Sequence, residues 1–197
     1  MIKVLLLDHH DSFTYNLAAL IRRCGNLHLD VLFPEETKIE KISLYDKIIF
    51  SPGPGLPSEY PVMTEVLESY KNTKSILGVC LGHQAIGEYF GAKLVNLGEV
   101  HHGRIKKLKI LDHLNNYKNG SKDLFNQIPD NTDIGVYHSW CVDSKGLPDS
   151  LTVTGISEDG TIMSLSHNEY DIQSVQFHPE SFITFYGERM IKNWVKL

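Results

Sequence analysis

Short runs of consecutive apolar residues alternate with segments of helical spacing through the first half of the chain. Val4-Leu5-Leu6-Leu7 is continuous, the pattern of a strand covered on both faces. Leu17, Leu20, Ile21 and Cys24 then recur at i, i+3, i+4 and i+7. That spacing predicts a helix capped at its start by Ser12, closed by Gly25, with Cys24 in the core. Residues 29–33 and 47–50 predict the second and third strands, with a polar, loosely helical stretch over 35–44 between them. Val62, Val66, Leu67 and Tyr70 mark another helix, and residues 75–79 a fourth strand. Ala85, Ile86, Tyr89 and Phe90 mark a third helix ended by Gly91, and residues 92–97 a fifth strand. Such strand–helix alternation implies parallel strands joined by right-handed crossovers.

After residue 103 the pattern changes. Segments 104–111, 133–140, 151–156, 162–167 and 172–177 read as strands. Turn signals such as Glu158-Asp159-Gly160 and Asn168-Glu169-Tyr170-Asp171 separate them, and spacing this short predicts antiparallel pairing. A closing helix starts near Tyr186, with Met190, Ile191, Trp194 and Val195 on one face. No repeat or linker interrupts the chain, so residues 1–197 are expected to form one domain. The predicted class is α/β: three layers, a mostly parallel central sheet flanked by helices, with antiparallel strands in the second half.

Composition narrows the partners. Of 197 residues, 42% are hydrophobic and 22% charged, ordinary for a soluble globular protein. The net charge of -5, without clustered Lys and Arg, argues against nucleic acid. No apolar run approaches membrane-spanning length, and Met1-Ile2-Lys3 leads straight into a strand, so no signal peptide is expected. Three widely spaced cysteines argue against a disulfide framework and for a reducing, cytoplasmic setting.

The candidate chemistry centres on Ile76-Leu77-Gly78-Val79-Cys80-Leu81-Gly82-His83-Gln84. Strand, sharp turn and helix in that order give the Gly-x-Cys-x-Gly form of a nucleophile elbow. It would present the Cys80 sulfur beside a helix N-terminus, whose partial positive charge favours thiolate. A small buried cysteine at a strand end fits the same residues. Ser51-Pro52-Gly53-Pro54-Gly55 follows the third strand and would lie on the same carboxyl edge, with Gly53 and Gly55 N–H groups available as donors. Such a loop suits an oxyanion hole, with Leu81 N–H as second donor, or is a plain tight turn. Gln176-Phe177-His178-Pro179-Glu180-Ser181 offers an imidazole base and an orienting carboxylate, which share one side if the chain stays extended. Val136-Tyr137-His138-Ser139-Trp140 ends in polar groups, and His138 is a rival base with no acid after it.

Together these segments resemble the class I, triad-type glutamine amidotransferases, matching three signature blocks in order. Asp11-Ser12-Phe13-Thr14-Tyr15-Asn16-Leu17 and Tyr137-His138-Ser139 look like the subunits serving chorismate, component II of anthranilate and aminodeoxychorismate synthases. The resemblance implies hydrolysis of L-glutamine through a thioester on Cys80. His178 would be acid and base, Glu180 its orienter, and Gly53 and Leu81 N–H the oxyanion hole. Pro54, Gly55, Gln84, Ser139 and Trp140 would contact substrate. It also implies a larger chorismate-binding subunit docked over the Cys80 edge to receive ammonia, and no cofactor in this chain. Departures are His9-His10 where Asn-Tyr is common, Trp140 where Leu is common, and the segment Pro57-Ser58-Glu59-Tyr60-Pro61. Adjacent histidines, as at His9-His10 and His101-His102, point to opposite faces, so no metal is expected. The competing readings are another α/β cysteine hydrolase, such as a peptidase, and a non-catalytic regulatory subunit.

Overall fold

The computed structural model describes residues 1–98, 101–111 and 124–196. In chain order the elements are β1 (Ile2–Leu7), α1 (Thr14–Arg22), β2 (Leu27–Leu32), β3 (Lys47–Phe50), α2 (Pro61–Tyr70), β4 (Ser75–Val79), α3 (Leu81–Tyr89), β5 (Leu94–Asn96), β6 (Arg104–Ile110), β7 (Thr132–Val136), β8 (Trp140–Val142), β9 (Leu151–Ser157), β10 (Ile162–His167), β11 (Ile172–Val175) and α4 (Gly187–Val195). The main sheet runs β2-β1-β3-β4-β11-β10-β9-β6-β7. Its first five strands are parallel, and every pairing from β11 onward through β10, β9, β6 and β7 is antiparallel.

Side-chain alternation along the parallel strands builds the three layers. Val4, Leu6, Ile49, Leu77 and Val79 pack on one face with Leu17 and Ile21 of α1 and Met190 and Trp194 of α4. Their neighbours Leu5, Leu7, Ile48, Phe50 and Ile76 pack on the other with Val66 and Leu67 of α2 and Ala85 and Ile86 of α3. Burial of each such side chain contributes about 1.5–3 kcal/mol, which makes this register hard to slip. At the amino end of β3 the buried Lys47 Nζ donates to Trp194 O (3.1 Å) and Ser75 Oγ (3.2 Å). A cation thus satisfies the last-turn carbonyl of α4 and fastens that helix to the sheet.

Four local expectations change. Residues 133–140 are not one strand: β7 ends at Val136, and Trp140 opens β8, which pairs with β5 in a separate two-stranded sheet. The intervening turn is held by Leu97 N–H to Ser139 O (2.8 Å) and His101 N–H to His138 O (3.0 Å), partners invisible to a local pattern. The fifth strand is only Leu94–Asn96 and lies outside the main sheet. β11 ends at Val175 rather than Phe177 and, inserted between β4 and β10, is parallel to the first. Ser12 does not cap α1; Asp11 Oδ1 accepts Phe13 N–H (2.7 Å) and Asp8 Oδ1 accepts the Thr14 hydroxyl (2.8 Å) instead.

Candidate active site

Parallel strands bring their carboxyl ends to one edge, so the segments after β1, β3, β4 and β11 meet there. Cys80 follows β4 with φ 52° and ψ -98°, a strained conformation for a non-glycine residue. Its N–H donates to Val175 O (2.8 Å), anchoring the turn on β11. A Cβ on Gly78 would lie 2.4 Å from Gly82 O, and one on Gly82 would lie 2.6 Å from Phe50 Cβ. Both glycines are therefore dictated by strand, turn and helix closing on one another. The sulfur does not project from the fold. Cys80 is 6% exposed and lines a cavity of about 190 Å³.

That cavity is lined by Gly53, Pro54, Gly55, Leu81, Gln84, Ser139 and Trp140, all anticipated from the sequence, together with Tyr137 and His138. Its volume suits a compact substrate rather than a drug-sized one. A roomier depression beside Lys71, Phe90 and Tyr170 has no cysteine in its lining. Behind the glycine loop sits His9, fully buried, with its N–H (2.9 Å) and Nδ1 (3.1 Å) on Ser51 Oγ. A Cβ on Gly53 would lie 2.7 Å from His9 Cβ, so His9 is the buttress of this loop. Tyr60 meets the His9 ring edge-on at 5.1 Å. The segment from Pro57 is a 3₁₀ turn in which Glu59 accepts Leu56 N–H (2.7 Å), and Pro61 opens α2. His10 points away, stacked on Phe33 and paired with Glu35 at the surface.

His178 and Glu180 do not share an extended strand. Ser181 N–H donates to His178 O (3.2 Å), turning the chain, and across that turn Glu180 Oε1 lies 2.6 Å from His178 Nδ1. The turn is held on three sides. Thr184 hydroxyl donates to His178 O (2.7 Å) and accepts Gly135 N–H (3.0 Å). His178 N–H donates to Gly135 O (2.9 Å). Gly187, opening α4, approaches Pro179 so closely that a Cβ would fall 1.8 Å from its carbonyl oxygen. The His178 ring packs against Tyr137 (4.8 Å) and Phe13 (6.0 Å), which also touch each other (5.2 Å). These two rings, with Thr184, are residues of the site to which the sequence alone assigns no role.

With Nδ1 committed to Glu180, His178 Nε2 is turned to the Cys80 side. It has no hydrogen-bond partner among the described residues. Burial alone would lower the His178 pKa, but the Glu180 carboxylate and the Cys80 sulfur more than offset it and hold the ring well above 6.5. His138 behaves oppositely. It packs against His101 (5.6 Å), its Nδ1 meets Trp140 O (2.9 Å), and burial pushes it down to about 4. It is therefore a weak rival as base. Among the described residues no group of three or more His, Cys, Asp or Glu side chains could hold a metal ion. All three cysteines are free, and burial raises Cys24 and Cys141 to about 11.

The family model for "Glutamine amidotransferase class-I" matches residues 5–197. The chain belongs to the class I glutamine amidotransferases. Among relatives of this amidotransferase, a Haemophilus influenzae protein provisionally named anthranilate synthase component II is 42% identical over 195 residues, 99% of this chain and 96% of the relative. The aminodeoxychorismate/anthranilate synthase component 2 of Bacillus subtilis is 33% identical over 195 residues, 98% and 95% of the two chains. A solved Thermoplasma acidophilum structure, provisionally described as one subunit of GMP synthase, superposes with a TM-score of 0.84 at 22% identity, covering 100% of this chain and 93% of the other. That likeness concerns the fold.

Proposed function

We propose that this amidotransferase is the glutamine-hydrolysing subunit of a chorismate-using synthase, supplying ammonia for anthranilate, aminodeoxychorismate or both. The observation that carries the reading is Cys80 on a strained turn lining the cavity, beside an imidazole whose far nitrogen is 2.6 Å from a buried carboxylate. The names of the relatives supply the chorismate half.

In this reading Cys80 attacks the side-chain amide of glutamine, and N–H groups of Gly53 and Leu81 receive the oxyanion. Leu81 opens α3, where the first N–H groups have no intrahelical acceptor and the helix dipole favours negative charge. His178 takes the thiol proton, gives it to the departing ammonia, and then activates the water that frees glutamate from the thioester. Glu180 fixes the ring tautomer and stabilises its charged form throughout. Gln84 and the 139–140 segment hold the α-amino and α-carboxylate groups. Free ammonia is protonated in water, so the synthase subunit must cover the Cys80 edge and receive it directly. No cofactor enters these steps, and three free thiols suit a reducing, cytoplasmic setting.

Cys80→Ala, assayed in complex with the synthase subunit, is expected to abolish glutamine-dependent product while ammonia-dependent product continues. Loss of both, or survival of both, would remove Cys80 from the reaction.

A further inference from the structure

Gln176 lies one residue beyond β11 and has no exposed surface. Alternation along the strand directs Ser174 and Gln176 toward α3, where Ser174 Oγ meets His83 Nδ1 (2.9 Å) and Gln176 meets both Gln84 and Cys80. The neighbours Val175 and Phe177 belong to the opposite layer. Burying a primary amide is unfavourable unless its donors and acceptor are used, so its partners are informative.

The orientation of each amide follows from a fixed point. A carbonyl oxygen can only accept, so the Gln84 atom 2.8 Å from Trp140 O is the NH2 nitrogen. The second N–H of that nitrogen faces Gln176 at 3.2 Å and requires an acceptor, which assigns Oε1 to that side. Gln176 Nε2 is left facing Cys80 Sγ at 3.5 Å, an N–H···S contact. Apart from Gln176 and the His178 imidazole, Cys80 borders the apolar cluster of Leu77, Val79 and Phe177. Nothing in that cluster would hold a charged sulfur or stop it rotating away from the cavity.

We propose that Gln176 is a positioning residue for the Cys80 thiol, the last link of a relay from Trp140 O through Gln84 and Gln176 to the sulfur. The relay joins the nucleophile to the opposite wall of the cavity, because Trp140 and Ser139 line it too. A substrate that settles against that wall sets the register of Gln84, and through Gln176 the direction of the sulfur. The amide also favours the thiolate over the thiol by donating to it. The inference rests on Cys80 being the nucleophile.

The test is the pH dependence of Cys80 alkylation by iodoacetamide on the full chain, each cysteine peptide being quantified by mass spectrometry. Gln176→Met keeps length and loses both donors. It is expected to move the midpoint up by about one pH unit, the size of one hydrogen bond to a charged group. Gln176→Glu, nearly the same shape with an acceptor toward the sulfur, is expected to move it further. Gln84→Met, which loosens the Gln176 amide from a distance, is expected to move it less, in the same direction, and remains informative should Gln176→Met fold poorly. Midpoints matching the wild type in all three variants would overturn the relay. A wild-type Cys80 alkylated no faster than a free thiol, and indifferent to His178→Ala, would instead sink the nucleophile assignment itself.

Discussion

The imidazoles around the site are held in opposite protonation states by their surroundings. Burial lowers His9 and His138 to about 4 and His83, wholly enclosed against Ser174, to about 3. His178 is raised by Glu180 and Cys80. The signs follow from linkage. A histidine depressed in the fold contributes stability that is present above its unfolded pKa near 6.5 and lost as pH falls toward its folded value. His178 contributes stability that is full below 6.5 and lost as pH rises through its raised value. With His167 also lowered by burial, four depressed imidazoles outnumber one raised one, so unfolding free energy measured in urea is expected to fall between pH 7 and pH 5. His9→Asn should remove about 2 kcal/mol of that fall, since the unfolded His9 takes up a proton that the folded one refuses. An unchanged pH slope in the variant would contradict the buried, neutral buttress. At this scale the sequence singles out Cys80, His178 and Glu180 because each sits in a motif whose residue types suggest its chemistry. His9 and Gln176 were not legible, because what they do depends on Ser51 and Gly53 in one case and Gln84 and Cys80 in the other.

The elbow is the element on which the site depends. Strand, strained cysteine and helix close only because Gly78 and Gly82 leave room for one another and for Phe50. Gly82→Ala places a methyl group 2.7 Å from the Phe50 carbonyl oxygen, a backbone atom with little freedom to yield. A loss of about 3 kcal/mol is expected, near the top of the usual range for overpacking, lowering the melting temperature by roughly 6–12 °C. A melting temperature within a degree of the wild type would mean that the elbow is less tightly closed than drawn. Elements of this kind were readable, because an apolar run flanked by glycines specifies strand and turn together. The β7–β8 boundary was not, since alternation continues through Val136, His138 and Trp140 while the backbone changes sheets. Nor was the turn that carries Glu180: Pro179 favours an extended His178, but the bonds from Ser181 and Thr184 close the chain back.

Across the whole molecule, two apolar layers fix five parallel strands in register, and the register delivers four loops to one edge. The parallel half of that arrangement was legible from strand–helix alternation. The identity of β11 as the strand beside β4 was not, because it arrives from the antiparallel half of the chain, nearly a hundred residues later. Yet that pairing is what sets His178 beside Cys80, through Val79 opposite Val175 and Cys80 N–H on Val175 O. In the proposed reaction one sulfur among three is made reactive by residues distant in sequence. The most direct measurement is treatment of the full chain with an electrophilic glutamine analogue, followed by peptide mass spectrometry. The predicted result is a single modification at Cys80, suppressed by added glutamine and by His178→Ala, with Cys24 and Cys141 unmodified. Modification spread over the three cysteines, or labelling of Cys80 that glutamine does not suppress, would contradict it.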